Sequence, residues 1–126
     1  MDKTIVLLKP DAVALGIQPE LEEALTSLGL HCMLKGVLLQ LTKDLILTWR
    51  DWDHYDDWFW EHVDFMTSSP VEIWLVCGEN AIDKVISVKL ALRQKYAKSK
   101  VMNVLHCPDN KDEANREINI FLNRGS

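Results

Sequence analysis

His106 is the residue of this sequence whose type and position first suggest chemistry. It follows the apolar run from Val101 to Leu105, which we predict to be a buried strand, and it opens a loop that runs to Asp109. Rigid elements commonly present functional side chains at such junctions, and an imidazole near neutral pH serves both as a nucleophile and as a proton carrier. The alternative is a histidine that only caps the next helix, and position alone leaves both interpretations open.

Lys9 is the second candidate, because it ends the first predicted strand in the run Lys9-Pro10-Asp11-Ala12. If the first and last strands of the sheet lie close together, Lys9 and His106 face a shared cleft. A lysine is a suitable point charge for a phosphate in an otherwise acidic protein. The alternative is a solvated lysine at the end of a strand.

Aromatic residues between positions 51 and 67 offer a different kind of site. Tyr55, Trp58 and Phe59 could form a flat shelf for a nucleobase, since stacking accepts any base. The ordinary alternative is that these rings fill the space between a helix and the sheet. The five tryptophans of the chain fit core and interface anchors better than an array that reads bases.

Other kinds of site find no support in the sequence. The four histidines and three cysteines lack the spacing of metal ligands, so we predict no metal site made by the chain itself. The chain has neither a GxGxxG motif nor a Walker A motif, which argues against a Rossmann cofactor and against a P-loop mechanism.

Length and charge restrict the remaining function classes. The 126 residues predict a single domain over 1–126, and a net charge of -5 disfavours nucleic-acid binding by bulk charge. No apolar run approaches the roughly 20 residues that cross a bilayer. The cysteines, Cys32, Cys77 and Cys107, are odd in number and far apart, and the first residues do not form a secretory signal. We therefore expect reduced thiols, a cytoplasmic setting and no membrane partner.

The elements that must position these residues follow from apolar patterning. We predict strands at 4–8, 31–41 with a bend at Gly36, 71–77 and 101–105. We predict helices at 19–28, after a Thr42 cap, once or twice within 51–67, from Asn80, and after a capping box formed by Asn110 and Glu113. The helix from Asn80 is expected to turn Ile82, Val85, Ile86, Leu90 and Leu92 inward and Lys84, Lys89, Arg93 and Lys95 to water.

This order of elements predicts an α+β fold. The arrangement is a ferredoxin-like βαββαβ antiparallel four-stranded sheet with helices on one face and added helices.

Several segments, taken together and in order, resemble the nucleoside diphosphate kinase family. They span nearly the whole chain and include the run KPDAV and the pattern NxxH. The segments are 4–13 (TIVLLKPDAV), 54–55 (HY), 65–71 (FMTSSPV), 78–81 (GENA), 103–106 (NVLH) and 117–118 (EI).

The resemblance implies a ping-pong transfer of a phosphoryl group from nucleoside triphosphates to nucleoside diphosphates. His106 would take the γ-phosphoryl group as a phosphohistidine, and Glu117 would hydrogen-bond the opposite ring nitrogen. Lys9 and Asn103 would contact phosphates or ribose, while Tyr55 would orient the histidine and the phosphoryl group. Mg²⁺ would arrive with the nucleotide.

The sequence also departs from the family's pattern. Cys107-Pro108-Asp109 replaces Gly-Ser-Asp after the histidine, and 90–102 is too short for the family's phosphate-binding loop with its threonine and arginine. Ile86 falls near the place of an earlier arginine. Arg93 could substitute for the missing arginines, as could Lys95, Lys98 or Lys100, and Trp58 or Phe59 for the usual base-stacking phenylalanine.

These observations leave two hypotheses. One is a divergent kinase acting through His106; the other is a kinase-like domain, weak or inactive in catalysis, that serves nucleotide binding or protein assembly. Family members form hexamers or tetramers from dimers, and the missing loop normally helps the larger assemblies. We therefore expect a homodimer or a small homo-oligomer.

Overall fold

The structure, a computed structural model, describes residues 2–50 and 57–123. Its sheet is antiparallel and four-stranded in the order β2-β3-β1-β4. The strands are β1 (Asp2–Leu8), β2 (His31–Leu39), β3 (Val71–Gly78) and β4 (Leu105–His106). The helices are α1 (Pro10–Leu15), α2 (Gln18–Ser27), α3 (Lys43–Trp49), α4 (Asp57–Met66), α5 (Ala81–Tyr96) and α6 (Lys111–Leu122). The predicted α+β, ferredoxin-like arrangement is confirmed.

The central strand β1 explains why helices cover both faces of the sheet. Its residues 5–8 are fully buried, and their side chains alternate between two core clusters. Val6 and Leu8 pack with α2 and α5, whereas Ile5 and Leu7 pack with α3, α4 and α6. The prediction of a main helical face with added helices therefore needs extending, since the added helices form a second layer.

Local signals in the sequence place several helix starts correctly. The Thr42 hydroxyl accepts a hydrogen bond from the Leu45 amide at 3.1 Å, and Asn110 Oδ1 accepts one from the Glu113 amide at 2.8 Å. In β2, the pairing with β3 shifts register on both sides of Leu34, close to Gly36 at φ 72°. Helix α4 occupies the second part of the region 51–67, where one or two helices were predicted. Residues 51–56 lie outside the described residues.

Two elements near the candidate site differ from the prediction. The helix α1 was not predicted; it begins at Pro10, because proline suits the first helical turn, where no amide partner is needed. The predicted strand from Val101 to Leu105 is reduced to Leu105–His106, since Val104 has φ 65° and interrupts the extended backbone.

The inward face of α5 also differs from the prediction. Val85, Val88 and Leu92 form its buried stripe, with i, i+3, i+7 spacing. Leu90 is 57% exposed, whereas Lys89, expected in solvent, is only 8% exposed. The buried face of α5 is therefore rotated about the helix axis by about one residue from the predicted face. This rotation places Lys89 against the core.

Candidate active site

His106 ends the short strand β4 and pairs with Leu7 of the buried central strand. Its ring Nε2 lies 2.6 Å from Glu117 Oε1 on α6. Its Nδ1 lies 3.5 Å from Arg50 Nη2, at the carboxyl end of α3. Three separate elements therefore hold the imidazole, which is only 9% exposed.

The neighbours of the imidazole determine which ring nitrogen carries the proton. A guanidinium has only donors, so Nδ1, which faces Arg50, is assigned the lone pair. Nε2 then carries the hydrogen and donates it to the Glu117 carboxylate. This arrangement leaves Nδ1 as the nucleophilic atom of His106.

The chain before His106 is tied to the start of α1. The Val104 amide donates to Asp11 Oδ2 at 3.1 Å, and the Val104 carbonyl accepts from the Lys9 amide at 2.8 Å. Val104 is fully buried, and its positive φ of 65° is unfavourable for a β-branched residue. These bonds maintain a conformation whose strain is of the order of 1–3 kcal/mol.

Lys9 and Asn103 meet beside this segment. Lys9 Nζ donates to Asn103 Oδ1 at 2.6 Å and to the Val101 carbonyl at 3.3 Å. The side chain is 3% exposed, and burial is the main reason that the pKa of Lys9 falls to about 7, with Arg93 and Arg50 contributing repulsion. A phosphate placed here would favour the charged form of Lys9.

Three further cations surround His106. Arg93 on α5 donates to the Leu105 carbonyl at 2.8 Å, Lys89 is buried on the same helix, and Arg50 is buried enough to lower its pKa to about 10. Burial is the first cause of the low pKa of His106, followed by repulsion from Arg50, Lys9, Lys89 and Arg93. The imidazole is therefore neutral at neutral pH, as a nucleophile requires, in a local positive field.

Sequence reasoning identified Arg93 as a candidate but missed Arg50 and Lys89. A signal for Arg50 existed: it follows Ile46 and Trp49 at helical spacing after the Thr42 cap, so it belongs to the inward side of α3. No comparable signal marked Lys89, since its burial follows from the rotation of α5.

Trp49 is the packing partner that joins these groups. Its ring lies edge-on to His106 with a centroid separation of 4.8 Å, and the Arg50 guanidinium lies 4.0 Å from the ring centroid. Its indole also hydrogen-bonds Glu117, whose pKa is raised to about 7, chiefly by burial. The Trp49 side chain thus contacts His106, its carboxylate partner and Arg50.

The residues of the predicted aromatic shelf differ in exposure. Phe59 is fully buried in the core, so the prediction that it binds nucleotide is wrong. Trp58 is 43% exposed and stays a candidate for base stacking. Trp58 and Lys100 line a cavity of about 370 Å³. Ring contacts lead from Trp58 through His62 at 6.2 Å to Trp49 at 5.9 Å, and so to His106. Tyr55 lies outside the described residues.

Nothing in the described part of the chain suggests a resident metal or a membrane span. Within residues 2–50 and 57–123, no three His, Cys, Asp or Glu side chains gather where an ion could be held. The described helices include none that is long and apolar enough to cross a bilayer.

Comparisons with known proteins converge on one family. The family model described as nucleoside diphosphate kinase matches residues 2–126. The chain is 30% identical to a nucleoside diphosphate kinase of a Wolbachia species, over 97% of this chain and 94% of the relative. It is 29% identical to one of Methanobrevibacter smithii, over 98% and 88%.

The fold also resembles solved structures. It is similar to a halophilic nucleoside diphosphate kinase from Halobacterium salinarum in complex with CDP, with a TM-score of 0.84, 25% identity, and coverage of 96% of this chain and 87% of that one.

Proposed function

Because this chain belongs to the nucleoside diphosphate kinase family, we propose that it moves the γ-phosphoryl group of a nucleoside triphosphate to a nucleoside diphosphate through phosphorylated His106. The observation that carries the proposal is the orientation of the imidazole. Glu117 holds Nε2 at 2.6 Å, so Nδ1 is left facing a cluster of cations. A neutral nucleophile aimed into a positive field suits attack on a polyphosphate.

The chemical step needs no proton exchange at the nucleophile. The Nδ1 lone pair forms a bond to the γ-phosphorus while the bond between that phosphorus and the β,γ-bridging oxygen breaks, and the nucleoside diphosphate leaves with the electron pair. Nε2 keeps its hydrogen throughout and donates it to Glu117, which stabilises the positive charge that develops on the ring. Transfer to a second nucleoside diphosphate reverses the same step.

The remaining site residues have roles that fit their positions. Lys9 is proposed to bind phosphate oxygens, with Asn103 holding its ammonium group in place at 2.6 Å. Arg93, anchored on the Leu105 carbonyl, is proposed to supply the charge that the family's longer loop supplies. Trp58 is proposed to stack on the base, and Tyr55 to orient the phosphoryl group.

Mg²⁺ is part of the substrate in this proposal. The groups that surround His106 are mostly cationic, which suits a polyphosphate and not a bare divalent ion. Phosphate oxygens are hard ligands of the kind that Mg²⁺ prefers, so the ion would arrive on the nucleotide and neutralise part of its charge.

The alternative, a kinase-like domain without turnover, is not favoured. The relatives are named as kinases over almost the whole chain. The departure after the histidine also leaves the nucleophile intact, because Cys107 is buried and its pKa is raised to about 11, mainly by burial. That thiol stays protonated and does not compete with His106.

We further propose a homodimer assembled through β2. This strand is at the edge of the sheet and exposes Met33, Leu34, Val37 and Leu38 at 36–64%. A second copy can offer the same edge in antiparallel orientation, so the contact is self-complementary and closes with two-fold symmetry.

A cytoplasmic setting and a single domain over 1–126 complete the proposal. The setting is supported by the three cysteines, all of which are free thiols. The domain assignment is supported by the family match over residues 2–126.

The proposal is tested by incubating the protein with γ-labelled ATP and Mg²⁺. We expect an acid-labile, base-stable label that moves to added nucleoside diphosphate. It should vanish in His106→Ala but persist in His31→Ala, which removes an exposed histidine at the start of β2. Absence of label from the unaltered protein at millimolar Mg-ATP contradicts the proposal.

A further inference from the structure

We propose that Arg50 is a catalytic residue of the phosphoryl-transfer step, whose guanidinium leaves His106 Nδ1 and binds the phosphoryl oxygens as the group arrives. The inference rests on the proposed phosphorylation of His106. It assigns transition-state binding to the end of α3, an element that sequence comparison did not connect with the chemistry.

Distance is the first argument. Arg50 Nη2 lies 3.5 Å from Nδ1, the atom assigned the lone pair. A phosphoryl group on Nδ1 would therefore project its oxygens toward the guanidinium. The planar fork of an arginine can bind two such oxygens at once, which a lysine cannot do.

The support under the guanidinium is the second argument. Arg50 lies 4.0 Å from the Trp49 ring centroid, and Trp49 is 3% exposed and packed edge-on to His106. A cation is attracted over an indole face while it stays within about 6 Å of the ring centroid, so the guanidinium can shift a short way along the ring without losing that contact. Trp49 is accordingly a positioning residue for Arg50.

The backbone provides the third argument. Arg50 caps the carboxyl end of α3, and its amide donates to the Ile46 carbonyl at 2.7 Å. Arg116 of α6 also donates to the Thr48 carbonyl at 2.7 Å, which joins α3 to the helix that carries Glu117. The two side chains that contact opposite nitrogens of His106 therefore stand on elements bound to each other.

Charge explains why the guanidinium would move. Burial lowers the pKa of Arg50 to about 10 with a contribution from Arg93, while Glu117, Asp109 and Glu113 favour its charged form. A polyphosphate at Nδ1 would bring charged oxygens, which are stronger acceptors for a guanidinium than an imidazole nitrogen. As the bond from Nδ1 to phosphorus forms and the bridging oxygen leaves, the Arg50 hydrogen bond passes from the nitrogen to a phosphoryl oxygen. No atom or proton is gained or lost in that exchange.

The test compares the phosphorylation of Arg50 variants from two donors, Mg-ATP and phosphoramidate, a small phosphoryl donor without a nucleoside. Removal of one transition-state donor typically slows an enzyme by about 10²–10³-fold. We expect the phosphorylation rate of Arg50→Gln to fall to that extent with ATP and by a smaller factor with phosphoramidate. The affinity of this variant for ADP should change less than its phosphorylation rate with ATP. Guanidinium ion at low millimolar concentration should partly restore Arg50→Ala, and Arg50→Lys should fall between Gln and the original protein.

Lys43→Gln is the matched control. It removes a cation that lies 5.0 Å from another tryptophan ring, Trp60, at the opposite end of the same helix. This variant should phosphorylate at the original rate with both donors. Thermal unfolding midpoints of all variants identify any loss of rate that comes from unfolding, and rescue by guanidinium is a response that misfolded protein would not give.

The outcomes separate this inference from the proposed function. If ATP labels Arg50→Gln and the original protein equally, Arg50 is not catalytic although the kinase proposal stands. If ATP labels neither but phosphoramidate modifies His106 in an Arg50-dependent manner, the kinase proposal fails and the role of Arg50 stands. If neither donor modifies His106, both are overturned.

Discussion

The hydrogen bond between His106 and Glu117 joins the proposed nucleophile to a carboxylate that ionises close to neutral pH. Burial raises the pKa of Glu117 to about 7, while burial and nearby cations keep the pKa of His106 low. The ionised carboxylate can accept the Nε2 hydrogen and stabilise the ring as positive charge develops. The protonated acid can still accept a hydrogen bond but carries no negative charge to stabilise the ring. We propose on this ground that Glu117 sets the pH dependence of phosphorylation.

We therefore predict that the rate of His106 phosphorylation at saturating Mg-ATP rises between pH 6 and 8 with one ionisation near 7. The sign follows from deprotonation of Glu117, since the carboxylate form is the active one. Glu117→Gln should be slower and lack this ionisation. The protein must be saturated with Mg-ATP, because bound phosphate raises the pKa of Lys9. Lys9 then does not titrate between pH 6 and 8. A Glu117→Gln variant with the original pH profile would refute this assignment.

Lys9 leads to a second prediction at the residue level. With a pKa near 7, its amine is mostly neutral at pH 8 in the free protein, and a bound polyphosphate favours the ammonium. Binding of Mg-ADP at pH 8 should therefore take up close to one proton, and the uptake should shrink below pH 6, where Lys9 is already charged. Calorimetry in two buffers of different ionisation enthalpy measures the number of protons taken up. The Lys9→Gln variant is expected to take up none.

Helix α4 illustrates how one element serves both the core and the surface. Phe59 is fully buried, whereas its neighbour Trp58 is 43% exposed beside a cavity. We predict that Phe59→Ala lowers the free energy of unfolding by about 3–5 kcal/mol. Trp58→Ala should change stability much less but weaken nucleotide binding, by about 1–3 kcal/mol for the loss of a stacked base. Denaturant unfolding and ADP titration distinguish the two, and equal effects on stability would contradict this division.

The elements that sequence analysis predicted well are those with local signals. The apolar run of β1 and the caps Thr42 and Asn110 lie within single segments, so no distant contact was needed to interpret them. The fourth strand was predicted too long, because the positive φ of Val104, whose backbone bonds Lys9 and Asp11, is not marked in the local sequence.

The candidate site shows the same division. Position in the sequence indicated His106 and Lys9, the resemblance added Glu117 and Asn103, and the structure brings these together in two hydrogen-bonded pairs. Lys89 was missed because its burial depends on how α5 packs against the sheet, and Arg50 was missed although its spacing from Ile46 places it on the inward side of α3. Charged residues on helices are mostly exposed, so the sequence alone predicts a solvated side chain, and burial becomes visible only in the packed structure.

At the scale of the whole molecule, a net charge of -5 coexists with a group of cations around His106. In the proposed function, the net negative charge disfavours unspecific binding of polyanions, and the local cations attract a phosphate to the place where His106 would react with it. The cations near His106 are placed by two helices: Lys89 and Arg93 lie on α5, and Arg50 follows the last residue of α3.

The exposed edge of β2 leads to a prediction about assembly. We expect sedimentation to show a dimer. The Leu38→Lys variant places a charge at a side chain that is 64% exposed on this edge, so it should shift the equilibrium toward monomer. Leu90→Lys, at a 57% exposed site on α5, is the control that should leave the dimer intact. A stable hexamer, or a dimer unaffected by Leu38→Lys, would contradict the proposed interface.

In the proposed mechanism, His106 reacts through Nδ1 while Glu117 holds Nε2. Nitrogen and phosphorus NMR of the protein after brief exposure to Mg-ATP locates the phosphoryl group on one ring nitrogen. We predict phosphorus bonded to Nδ1 of His106, a retained hydrogen on Nε2, and loss of the signal when ADP is added. Phosphorus on Nε2, or on another residue, would contradict it.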